Sequence, residues 1–152
     1  MRGAVALCTA PASRDTARAM SQENVEIVRR SWEGFMRGDA VALAVLDNDV
    51  VYEDDLLPEN AGESYRGVKG MQEAWAVWRE PWDVLETEIE WVRAAGTDQV
   101  VSCHRARMRG KGSGIEGERR YAYLWRFRAG KIVYCKSFGD PSEALDAAGL
   151  PE

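Results

Sequence analysis

One histidine, a tyrosine on the strand that follows it and an aspartate closing a short strand are the residues of this 152-residue chain best suited to act together. His104 lies in a strand pattern over residues 100–109. Alternation there sets Ser102, His104, Ala106 and Met108 on one face and Cys103, Arg105, Arg107 and Arg109 on the other. The first set is small or apolar apart from the histidine, so it faces inward. Over residues 118–128 the same rule turns Tyr121, Tyr123, Trp125 and Phe127 inward, and pairing across the hairpin puts His104 opposite or diagonal to Tyr123. Asp54 sits in the run Glu53-Asp54-Asp55. A carboxylate base, an imidazole that carries protons and a phenol that donates to a developing oxyanion are the parts needed to remove a proton beside a carbonyl. A plainer reading stands beside this one. A lone inward histidine is also a common packed side chain bonded to a neighbour, here Tyr123, and the acidic run also reads as a solvated turn.

The elements that must hold these residues follow from spacing. Ser21 is placed to cap a helix in which Val25, Val28, Trp32 and Phe35 recur at helical intervals, and Gly38 stops it. Asp39 can cap a shorter helix through Leu46. Residues 50–53 read as a strand and 54–67 as a polar loop. A third helix, 70–79, carries Met71, Trp75 and Trp78 on one face, and Pro81 ends it. In the next strand Leu85, Thr87, Ile89 and Trp91 alternate with Glu86, Glu88 and Glu90, which gives one buried face. Three turns follow, at residues 94–98, across the glycine-rich residues 110–117 and at 129–131, and Asp140-Pro141-Ser142-Glu143 opens a last short helix. The order α-α-β-α-β-β-β-β-α implies an α+β domain whose curved antiparallel sheet wraps helices and leaves a cavity between them. Trp32, Phe35 and Trp75 from the helices, with Ser102, Met108, Tyr121 and Trp125 from the strands, are the expected pocket lining.

Composition excludes several classes. Net charge is −5, with no pull toward nucleic acid or an anionic membrane, and no apolar run reaches the length of a membrane span. The six arginines 105, 107, 109, 120, 126 and 128 form a basic outer face, which Glu86, Glu88 and Glu90 on the neighbouring strand can pair. Three cysteines without paired spacing, Cys8, Cys103 and Cys135, argue for a reducing cytoplasm and not a disulfide framework. A single histidine and no Cys/His cluster leave no metal site to expect. Residues 1–19 carry no period and are expected to be a disordered extension or a start-site artefact ahead of one domain at 20–152.

The words SQENVEIVRRSWEGFMRGD, DVVYED, YRGVKGM, GKGSG, YLWRFRAGKIV and DPSEALDAAGL, in this order from about Ser21 to Leu150, resemble the nuclear-transport-factor-2-like (NTF2-like) superfamily and, within it, the SnoaL-like group. The resemblance implies a ketosteroid-isomerase-like cone: a curved antiparallel sheet around three helices from the N-terminal half, with a short C-terminal helix. It implies a homodimer formed through the outer sheet face. It places Asp54 where the family has its general base. Where the family has a tyrosine on the first helix this chain has Ser31 and Trp32, and Tyr123 stands where the family has an acid. The resulting expectation is a SnoaL-like protein that binds a small apolar metabolite bearing a carbonyl in a conical pocket. Its chemistry would be cofactor-free and acid/base, of isomerase, cyclase or dehydratase type, on Asp54, His104 and Tyr123. The competing expectation is a non-catalytic ligand-binding or dimerisation module.

Overall fold

Ser13 caps the first helix: its Oγ accepts from the backbone N–H of Thr16 at 3.2 Å. In the computed structural model, which describes residues 13–56 and 62–152, α1 therefore runs over Arg14–Arg37. It begins eight residues before the start expected from a cap at Ser21, so residues 14–19 belong to the helix and not to an extension; residues 1–12 lie outside the described residues. Ser21 is no cap; its hydroxyl donates to the Gly96 carbonyl at 2.8 Å and ties the helix to a hairpin turn. Ile27, Val28, Ser31, Trp32 and Phe35 form the buried stripe, and Gly38, at φ 73°, closes the helix in the left-handed conformation that glycine adopts without strain.

After α2 (Ala40–Leu43) come β1 (Leu46–Asp54), β2 (Glu63–Arg66) and α3 (Gly67–Arg79). A meander follows of β3 (Trp82–Ala95), β4 (Gln99–Gly110), β5 (Glu116–Arg128) and β6 (Lys131–Phe138), and then α4 (Pro141–Ala148). The six strands form one unclosed sheet in the order β2-β1-β6-β5-β4-β3. The fold is the α+β cone expected, with three differences of detail. The sheet is mixed: β1 and β6 pair in parallel, because the last strand of the meander returns beside β1 running the same way. The segment expected to be all loop contains β2, an edge strand of polar residues paired antiparallel to β1. The sheet is also covered on both faces. The helices α1 and α3 close the inner side over the main core, while Ala144 and Leu145 of α4 pack outside against Val101, Ala122, Leu124 and Phe138.

Alternation holds along β4 but not along β3. Ile89 pairs with His104, yet Trp91 pairs with Cys103, so one extra residue is inserted at Glu90. The bulge reverses the phase. Trp91, expected on the inner face with Leu85, Thr87 and Ile89, lies outside against the α4 cluster, and Val92 takes the inner face. Among the described residues no helix is long and apolar enough to cross a membrane.

Candidate functional site

On β1 the inward positions are Val50, Tyr52 and Asp54, and the parallel pairing with β6 sets Ser137 beside Asp54. Asp54 is 2% exposed, so it is neither a solvated turn residue nor a group at an open mouth. Its Oδ1 accepts from Ser137 Oγ–H at 2.9 Å and from the Leu56 N–H at 2.8 Å. The neighbouring acids go elsewhere. Glu53 accepts from the Tyr134 hydroxyl at 2.8 Å on the opposite face, and Asp55 lies 3.3 Å from Lys136 Nζ. Tyr52, fully buried, sits between Ser137 and Tyr123; burial first and the Asp54 charge second push its phenol well above its ordinary range. The buried Tyr123 phenol is pushed up in the same way, by burial and then by Tyr52 beside it. Asp54, Ser137, Tyr52 and Tyr123 thus make one continuous polar seam across β1, β6 and β5.

His104 lies on β4, paired directly with Tyr121 and diagonal to Tyr123, which is itself opposite Ser102. Its ring is 4.1 Å from Trp32, stacks on Tyr121 at 5.2 Å and meets Tyr123 edge-on at 5.3 Å, centroid to centroid. Burial alone pushes its pKa down to about 3, so the imidazole is neutral. Its bond is to Ser102, not to Tyr123: Ser102 Oγ and His104 Nε2 are 2.7 Å apart, and Trp125 Nε1–H donates to the same hydroxyl at 2.8 Å.

The expected lining residues fall into two groups. Ser102, Tyr121 and Trp125 are wholly buried beside His104 and Tyr123. The others border separate clefts. Phe35 and Trp75, stacked at 5.6 Å, floor one of about 510 Å³ between the C-terminal ends of α1 and α3. Trp32 borders one of about 210 Å³ with Thr87 and Ile89, and Met108 borders one of about 430 Å³ on the β4–β5 arm. None of these three is lined by Asp54, His104 or Tyr123. Sequence reasoning missed Tyr52 and Ser137. Tyr52 carried a signal, being two residues before Asp54 on the same strand face. Ser137 carried none, because its place depends on a parallel pairing between distant segments.

A six-stranded mixed sheet curled over α1 and α3 is the architecture of the NTF2-like α+β cones. The model of the SnoaL-like domain family matches residues 28–135, and the chain belongs to that family. No curated protein sequence matches the chain. Among solved structures it is similar to an NTF2-like protein from Burkholderia thailandensis E264, with 25% identity over 84% of this chain and 97% of that one and a TM-score of 0.65. A protein of ketosteroid-isomerase-like fold from Catenulispora acidiphila DSM 44928, in complex with trimethylamine, is 22% identical over 83% of this chain and 94% of that one, TM-score 0.62. A phenazine biosynthesis-related protein from Pseudomonas aeruginosa is 15% identical over 92% and 94%, TM-score 0.61.

Proposed function

We propose that this SnoaL-like chain binds a small apolar metabolite bearing a carbonyl in the interior of the cone, and that Asp54 moves a proton on it without a cofactor. The observation that carries this reading is the Asp54 carboxylate itself. It is buried, and the Ser137 hydroxyl and the Leu56 N–H both bond its Oδ1. Ser137 and the Leu56 N–H fix its orientation, which is what a general base needs before it needs anything else. The trimethylamine complex of the Catenulispora neighbour and the phenazine connection of the Pseudomonas one support small-molecule handling.

The test needs a ligand, found by native mass spectrometry of protein purified from its own host or by screening small ketones and lactones. Asp54→Asn keeps the shape and removes the base. Turnover should fall roughly a hundredfold or more with binding kept. Unchanged turnover would rule Asp54 out as the base.

A second reading, a binding or dimerisation module without activity, is favoured by the ring packing around His104, where Trp32 stands only 4.1 Å away. A retained ligand that no assay turns over would decide for it. We further propose a homodimer joined through the outer faces of β3, β4 and β5, where Glu90, Arg105 and Arg120 lie, and a cytoplasmic setting that suits the free thiols of Cys103 and Cys135. Sedimentation as a monomer at micromolar concentration and low salt would overturn the dimer.

A further inference from the structure

The cleft of about 510 Å³ between the C-terminal ends of α1 and α3 is lined by three cations, Arg37, Arg79 and Lys111, against one carboxylate, Glu80. Four other clefts on the described residues are balanced or carry more carboxylates than cations. Two on the β3–β5 arm each set two arginines against three glutamates. The one beside Trp32 sets Arg29 against Glu33 and Glu88, and the one beside Ser21 sets Arg18 against Glu26. Basic residues in the last turn of a helix ordinarily answer its dipole, and Arg37 and Arg79 are so placed. Arg37 is also taken, by Asp39 at 2.9 Å and Glu33 at 3.7 Å. Lys111 belongs to neither helix. It comes from the turn between β4 and β5, held beside α3 by its N–H, which donates to the Pro81 carbonyl at 2.9 Å. Among the described residues neither Arg79 nor Lys111 makes a salt bridge. The floor adds a second observation. Trp75 is 1% exposed, and its Nε1–H is buried with no hydrogen-bond partner among the described residues. Buried polar groups are seldom left so, and an indole N–H can only donate, so the missing partner is an acceptor.

We propose that this cleft is a second ligand site, for a planar aromatic monocarboxylate. The carboxylate lies between Arg79 and Lys111, one of its oxygens accepts from Trp75 Nε1–H, and its ring rests on the floor made by Phe35 and Trp75. Charge sets the valence: two unpaired cations and Glu80 leave one positive charge to be met, which a monoanion meets and a dianion overshoots. Size agrees, since the volume falls within the roughly 300–1,000 Å³ of ordinary ligand pockets. Phe35 and Trp75 are each 1% exposed, so an occupant meets them at their rims, and the rim is where an indole carries its N–H. It settles as the exposed Gln72 and Arg79 side chains move apart. Asp54, His104 and Tyr123 do not line this cleft, so the site stands or falls apart from the interior one.

The probes are 2-naphthoate and 2-naphthamide, which share a shape and differ in charge. Titrated by calorimetry at low salt, the acid should bind saturably and about tenfold or more tighter than the amide. Arg79→Gln and Lys111→Gln, both at exposed positions, should each weaken the acid roughly three- to tenfold and leave the amide unchanged. Arg109→Gln, a cation outside the cleft, should move neither probe by more than about twofold. The ¹H–¹⁵N spectrum holds six indole signals. The Trp75 signal, identified by its loss in Trp75→Phe or by its through-space contact with Phe35, should move downfield with the acid as its N–H gains a partner. Equal affinity for the two probes, or no saturable binding of the acid up to about 1 mM, overturns the site. So does an unmoved Trp75 signal, or an effect of Arg109→Gln as large as that of the cleft variants. If the acid shifts the His104 imidazole and binds the Arg79 and Lys111 variants normally, it lies in the interior: the cleft site is then wrong and the interior reading stands.

Discussion

On the inner face of β4 and β5, Ser102, His104, Tyr121, Tyr123 and Trp125 are each at most 1% exposed. On the outer face of the same strands Glu90 joins Arg105 at 2.8 Å and Arg120 at 2.9 Å, with both arginine side chains about half in solvent at 45% and 53% exposure. The inner face holds neutral groups in fixed geometry and the outer face holds full charges in a loose one. Distance from water, more than formal charge, decides which set is costly to disturb. A buried hydroxyl without its partners loses the whole of its desolvation, whereas an exposed ion pair exchanges one good solvent for another.

The sharpest way to break this contrast is Ser102→Ala. It strips the partner from both Trp125 Nε1–H and His104 Nε2 and should lower stability by about 2–4 kcal/mol in urea unfolding. A loss below about 1 kcal/mol would show that the inner network is slack.

Acid should come next. Burial holds His104 at about 3 in the folded chain against 6.5 as a free side chain. Between those values the unfolded chain binds the extra proton, so this residue's contribution is complete above pH 6.5 and is lost as pH falls toward 3. Between pH 7 and pH 5 the loss should be about 2 kcal/mol, and His104→Gln should flatten that part of the profile while the carboxylate part remains. An unchanged profile in the variant would mean that the imidazole reaches water.

The outer face should yield least. In the dissociated monomer Glu90→Gln should cost roughly 1 kcal/mol or less and become cheaper still in high salt. Glu88→Lys should be near neutral and should not be rescued by Arg105→Glu, because Arg105 is bound to Glu90. A large, salt-independent cost for Glu90→Gln that persists in the dissociated monomer would mean that the pair is desolvated within the chain itself.

Sequence legibility followed the same division between regular and irregular backbone. Along β4 the ladder to β5 runs without a shift from Gln99 to Arg109, so counting by twos assigned every side chain correctly. On β3 the extra residue at Glu90 defeated the count and sent Trp91 to the wrong face. No local pattern announces a bulge of that kind. The polar word Glu63-Ser64-Tyr65-Arg66 hid an edge strand, since an exposed edge needs no apolar alternation. Residues 14–20 hid the first turns of α1, because they are mostly exposed and carry no stripe to be counted. Of the candidate site, Asp54, His104 and Tyr123 were legible as inward groups from periodicity and family resemblance. Their partners were not: Ser102 was seen only as lining, and Ser137 required knowing that two strands far apart in the chain lie side by side.

That last adjacency has a consequence for how the molecule comes into being. The Ser137–Asp54 hydrogen bond joins residues 83 apart in sequence, and β1 can take its parallel neighbour only when the whole meander has been made. The β3–β4–β5 hairpins are local and should form early, whereas the seam that orients Asp54 closes a long loop and should form late. During synthesis β1 therefore waits with an unpaired edge until β6 emerges, and the carboxylate acquires its bond to Ser137 only as the sheet completes.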